Sequence, residues 1–157
     1  MNASIAVCLL LSASISAEPC PLPKAVARRF ERELSSRYAY SLNARPCYLS
    51  ADFDGDGAMD TAVLVKDRKT SKLGIAILNS SSRKWLLVAA GHTFEAGDNF
   101  EWMDQWSVYP RGPVEEGVEA GTPPKLKGAA ILAEKSESAS GLIYWNGHNY
   151  AWYQQGD

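Results

Sequence analysis

The nine residues Asp52-Phe53-Asp54-Gly55-Asp56-Gly57-Ala58-Met59-Asp60 restrict this chain more than any other stretch. Four carboxylates crowded around two glycines repel one another unless a cation joins them, and glycine permits the sharp bend that brings them together. Side-chain oxygens at the first, third and fifth positions (Asp52, Asp54, Asp56), the Ala58 carbonyl at the seventh and Asp60 at the ninth describe a turn wrapped around Ca²⁺. The twelfth position, where a helix-loop-helix site places a bidentate Glu, is Val63. The flanks Cys47–Ser50 and Thr61–Val65 are strand-like, so the expectation is a calcium loop between two strands. The alternative is an acidic hairpin turn that holds no metal.

The loop resembles the Asp-x-Asp-Gly-Asp-Gly-x-x-Asp segment of FG-GAP and VCBS type repeats, over about twenty residues from Tyr48 to Lys66. That resemblance implies Asp52, Asp54, Asp56 and Asp60 as side-chain ligands and Ala58 as a carbonyl ligand. It does not imply a propeller, because no second Asp-x-Asp-x-Asp-Gly occurs in the sequence. The run from Glu137 to Tyr150, read together with the acidic loop, is also similar to a group of small exported bacterial proteins; this likeness implies a fold and no activity.

Residues 1–17 have the layout of a cleaved secretory signal, with the apolar core Ile5–Leu11, small residues from Ser12 to Ala17 and a cut after Ala17. The apolar run is too short to span a bilayer, and no other run is long enough. Export predicts a periplasmic or secreted domain over residues 18–157. Of three cysteines, Cys8 falls in the signal, leaving Cys20 and Cys47. An even pair in an oxidising compartment points to one disulfide, constraining the unfolded chain by roughly 3 kcal/mol; two free buried thiols are the alternative. A net charge of −2 without a basic run excludes a phosphate-tracking nucleic-acid surface.

Apolar Ala25, Val26, Phe30 and Leu34 recur at helical spacing among arginines and glutamates, so Lys24 to about Tyr38 reads as an amphipathic helix. Its Arg28, Arg29, Arg32 and Arg37 read as a solvated face, with an acidic partner as the alternative. From Tyr48, short β-rich segments alternate with polar turns: Asp60–Val65, Leu73–Leu78, Trp85–Ala89, Ala129–Ala133, Leu142–Trp145 and Asn149–Gln154. Residues 112–128 have turn composition and read as an exposed excursion; Asn146-Gly147 reads as a two-residue turn closing a final hairpin. The fold class expected is α+β: a single domain with one N-terminal amphipathic helix packed on a mainly antiparallel sheet and ending in a hairpin.

The sequence has no Gly-x-Ser-x-Gly elbow, no phosphate loop and no His-Glu-x-x-His helix, and its two histidines, His92 and His148, have no nucleophile beside them. The reading is therefore not an enzyme. Glu101 and Asp104 are the acids a glycan hydrolase would draw on, although their spacing does not establish the required separation. Trp102, Trp106, Tyr150 and Trp152 are candidate outward aromatics for recognition, with core packing as the competing role. Together these features predict an exported, monomeric, calcium-binding module that engages another protein of the envelope, in the role of a periplasmic inhibitor or immunity protein. The rival readings are a carbohydrate or cell-wall binding module using Trp102, Trp106 and Trp152, and a hydrolase using Glu101 and Asp104.

Overall fold

The computed structural model describes residues 20–117 and 121–156; the expected signal segment 1–17 and its cut after Ala17 lie outside them. Nine strands form two antiparallel sheets. Strands β1 (Tyr38–Tyr40) and β2 (Tyr48–Ala51) lie end to end along one edge of β3 (Asp60–Asp67), and β4 (Leu73–Asn79) and β5 (Lys84–Ala89) continue the sheet beyond its other edge. The second sheet runs in chain order through β6 (Gln105–Tyr109), β7 (Ala130–Lys135), β8 (Ala139–Trp145) and β9 (Tyr150–Gly156). Among the described residues no helix is long and apolar enough to cross a membrane.

Strand β3 is apolar on both faces because both faces are covered. Ala62 and Leu64 join Leu49, Ile75, Ile77 and Val88 in a core that also takes in Ile131, Ala133 and Ile143 of the second sheet. Val63 and Val65 point the opposite way and pack with Phe30 of helix α1 (Lys24–Glu33). The outer face of the second sheet, through Ala130, Leu142 and Tyr153, is covered by Val114 and Leu126. The order is therefore helix, sheet, sheet, covering segment.

The mixture of one short helix with antiparallel sheet is there, but β-structure dominates and it is divided between two sheets. Helix α1 has ten residues, begins at Lys24, where it was expected, and stops at Glu33 instead of continuing to Tyr38. Ser35 and Ser36 follow its end, the Ser35 hydroxyl donates to the Glu31 carbonyl at 2.6 Å, and Tyr38 is drawn into β1 opposite Asp67. Residues 112–128 form no strand or helix among the described residues, as expected, yet they are not a free excursion. The Tyr153 hydroxyl accepts from the Gly117 amide at 3.0 Å and donates to the Gly121 carbonyl at 3.3 Å, holding the segment against the sheet. The last hairpin turns through four residues, Asn146–Asn149, with the Asn146 side chain accepting from the amides of His148 and Asn149.

Cys20 and Cys47 form the expected disulfide, with a Cα–Cα distance of 5.8 Å across a sequence separation of 27. It ties the segment before α1 to the residue preceding β2, consistent with an oxidising compartment.

Candidate metal centre

The acidic loop joins β2 to β3, and its shape follows from a dense set of local bonds. One Asp52 oxygen accepts from the amides of Gly55 at 2.7 Å and Asp56 at 3.1 Å, and the other from Gly57 at 3.0 Å. Gly55 and Gly57 have φ of 78° and 91°, which side-chain-bearing residues seldom adopt. Gly55 is required twice over, because a Cβ there would lie 2.5 Å from the Lys127 carbonyl oxygen. On the facing strand approach, a Cβ on Gly128 would lie 2.4 Å from the Asp52 carbonyl oxygen, and the adjacent Ala129 amide donates to that oxygen at 2.7 Å. The loop is thus set against the 127–129 backbone of the second sheet, and Phe53, fully buried, anchors it in the inter-sheet core.

This scaffold brings Asp52, Asp54 and Asp60 together, with one carboxylate oxygen from each within 4.8 Å of the others. Asp60 is 0 % exposed; its two oxygens accept from the amides of Phe53 at 3.1 Å and Ser80 at 2.8 Å. Asp54 accepts from the Asp56 amide at 3.2 Å and from the side-chain amide of Asn79. Asp56, expected to be a ligand, stands outside the trio: it is exposed and accepts from the Ala58 amide at 2.8 Å. Ala58 enters as the donor of that bond.

The electrostatics favour a cation. At the spacing of the trio, each fully ionised pair repels by about 3 kcal/mol at an effective dielectric near 20. None of the ion pairs among the described residues, Arg29 and Arg32 with Glu33, Arg37 with Asp67 and Lys72 with Asp98, involves a loop carboxylate; Lys84 lines the same cleft as Asp54 and Asp56 without pairing with either. Burial raises the Asp54 carboxyl, and the charges of Asp56 and Asp52 add to the shift. Burial likewise raises Asp60 against the opposing Ser80 and Phe53 amides, with the charge of Asp54 adding to it. Asp56 is held below its ordinary value, first by the Ser81 side chain and then by the Ala58 amide.

A second observation bears on the same centre. Tyr150 is 7 % exposed, and its hydroxyl is buried without a hydrogen-bond partner among the described residues. Burial pushes that hydroxyl well above the ordinary tyrosine value, and the charges of Asp60, Asp54 and Asp52 push it further. A buried hydroxyl without a partner among the described residues is the kind of group that an ordered water satisfies. The donor set is all oxygen, suiting a hard cation such as Ca²⁺ better than zinc or copper.

The remaining candidates separate into core and surface. Trp106, 2 % exposed, donates its indole N–H to the Pro46 carbonyl, and Tyr150 packs at 5.2 Å from the Trp145 ring; both belong to the inter-sheet core rather than to an outward face. The period-two pattern put Tyr150 and Trp152 on one face, which is correct, but that face is turned toward the other sheet. Trp102 and Trp152 are half-buried and meet edge to face at 6.0 Å beside a cavity of about 340 Å³. Glu101 and Asp104 make turn contacts: Asp104 accepts from the amide and hydroxyl of Ser136 at 2.9 and 3.0 Å, and Glu101 pairs with Asn99. Sequence reasoning missed Gly128 and Asn79; the close backbone approach that explains the glycine leaves no local signal.

No protein-family model, curated protein or solved structure matches this chain.

Proposed function

We propose that this chain is an exported, calcium-stabilised, non-catalytic module that binds another protein. The observation that carries the reading is the convergence of Asp52, Asp54 and Asp60, within 4.8 Å and without an ion pair among the described residues. These three residues would hold the ion, which neutralises their mutual repulsion when bound. Asn79 and the amides of Gly55, Gly57, Phe53 and Ser80 orient the carboxylates, and Phe53 fixes the loop to the core. The Asp-x-Asp-Gly-Asp-Gly pattern, with its likeness to FG-GAP loops, supports calcium as the cation. The Cys20–Cys47 disulfide supports a periplasmic or secreted location.

In this reading calcium makes the fold rigid and leaves recognition to the surface. Thermal unfolding in excess calcium and in EDTA tests it. At a hundredfold excess over the dissociation constant the gain is about 2.7 kcal/mol, raising the midpoint by on the order of 10 °C. Asp54→Ala abolishes the rise. Equal midpoints in calcium and EDTA would leave the loop as a turn only.

A further inference from the structure

We propose that the cleft beside the Trp102–Trp152 pair is a receptor for a cationic side chain, arginine or lysine, presented by the partner protein. The proposal deepens the protein-binding reading and is independent of the ion. The cleft lies where the 94–102 segment crosses the start of β8, lined by Glu95, Ala96, Trp102, Ser140, Trp152 and Gln154, among others. Its volume of about 340 Å³ falls at the lower end of the range of ligand clefts.

The two indoles are fixed in place before any partner arrives. Trp152 lies over Gly141, where a Cβ would fall 2.1 Å from the ring, so that glycine makes room for the indole. The Glu95 carboxylate accepts from the Trp152 amide at 2.6 Å, and the Trp152 indole N–H donates to Gln154 at 3.1 Å. Trp102 is held against Phe100 at 5.6 Å, and Phe100 against Phe94 at 5.9 Å. The Trp102 and Trp152 planes meet at 79°, giving two nearly perpendicular π walls. Preorganised aromatic surface is what a binding site requires, since little freedom is lost when the ligand arrives.

The chemistry of the walls selects the ligand. A neutral sugar needs several free polar groups around an aromatic platform, but Gln154 is occupied at both ends: its oxygen takes the Trp152 indole N–H, and its nitrogen donates to the Gly156 carbonyl at 2.6 Å. What remains is the aromatic surface of the two indoles, the Ser140 hydroxyl and one exposed carboxylate, Glu95, whose Oε2 alone is bonded to Trp152. No lysine, arginine or histidine is among the described lining residues, so an anion finds nothing there. Two π faces and a carboxylate are complementary to a guanidinium or alkylammonium group.

The test follows the indole N–H resonances of Trp102 and Trp152 in the disulfide-bonded protein during titration with a short acetylated arginine peptide and with its citrulline counterpart. The arginine peptide should shift both resonances, weaken as salt is added and bind about fivefold less well to Glu95→Gln, whose amide oxygen can still accept the Trp152 N–H. Trp102→Leu should weaken binding by a similar factor, and Glu95→Gln should keep the wild-type unfolding midpoint. Equal shifts from the citrulline peptide, or shifts from a neutral oligosaccharide but not from the arginine peptide, would overturn the proposal. Tighter binding of choline than of the peptide would overturn the assignment to a protein side chain. A lost peptide response with an intact calcium-dependent midpoint removes the cleft alone; the reverse pattern removes the metal centre alone.

Discussion

Strand β3 carries a buried aspartate at each end, Asp60 where it leaves the acidic loop and Asp67 where it enters the turn toward β4, at 0 % and 1 % exposure. Both accept two backbone amides: Asp60 those of Phe53 and Ser80, Asp67 those of Lys69 and Thr70 at 2.8 and 2.9 Å. Only Asp67 has a cation, the Arg37 guanidinium at 2.9 Å. The Thr70 amide and then Arg37 hold the Asp67 carboxyl well below the usual carboxylate range, whereas burial and neighbouring acids raise Asp60. One end of the strand is paired with a cation of the chain; at the other no ion pair is formed among the described residues. A buried acid is therefore not by itself a sign of a metal, and what separates the two cases is the missing counter-charge.

The largest expected effect comes from removing the platform under the acidic end. Gly128→Val forces a side chain against the Asp52 carbonyl and should cost about 3 kcal/mol in denaturant unfolding, together with the calcium response. Retained calcium stabilisation in that variant would break the link between the loop and the second sheet.

The balanced end should behave in the opposite way. Asp67→Asn should lower the midpoint equally in calcium and EDTA. It should also change the pH profile: a carboxyl held below its unfolded value contributes stability that is complete above the unfolded pKa, near ~3.9, and fades as pH falls through that value toward the folded one. The wild type should therefore lose stability more steeply than Asp67→Asn from about pH 5 downward. Parallel profiles would mean that Asp67 is not the balanced charge described here.

Most of the first sheet was legible because its strands are local and strongly patterned: the run from Thr61 to Val65 between acidic turns can hardly be anything else. The acidic loop was legible because its ligand spacing lies within nine residues. Strand β1, three residues, and β6 around Trp106 were not, since each is short and owes its pairing to residues far along the chain, Asp67 and Glu134 among them. Division into two sheets was invisible for the same reason, and it decides for core packing over an outward role at Trp106 and Tyr150. The covering role of Val114 and Leu126 was hidden in a segment whose glycines and prolines advertise only turns. Asp56 fits the ligand pattern as a sequence position; one of its carboxylate oxygens accepts from the Ala58 amide.

The smallest effect sharpens the comparison at the acidic end. Tyr150→Phe removes a hydroxyl that has no partner, so in EDTA its stability should lie within about 0.5 kcal/mol of wild type. In calcium the stabilising increment should shrink. An unchanged increment would detach Tyr150 from the centre.

The central claim is that the Asp60 end of β3 requires a cation that the chain does not supply. Calorimetric titration of calcium into the disulfide-bonded protein tests it most directly, with Asp60→Asn and Asp67→Asn alongside. The account predicts one site per chain in the wild type and in Asp67→Asn, and no measurable site in Asp60→Asn. Absence of binding to the wild type, or binding that survives Asp60→Asn unchanged, would contradict it.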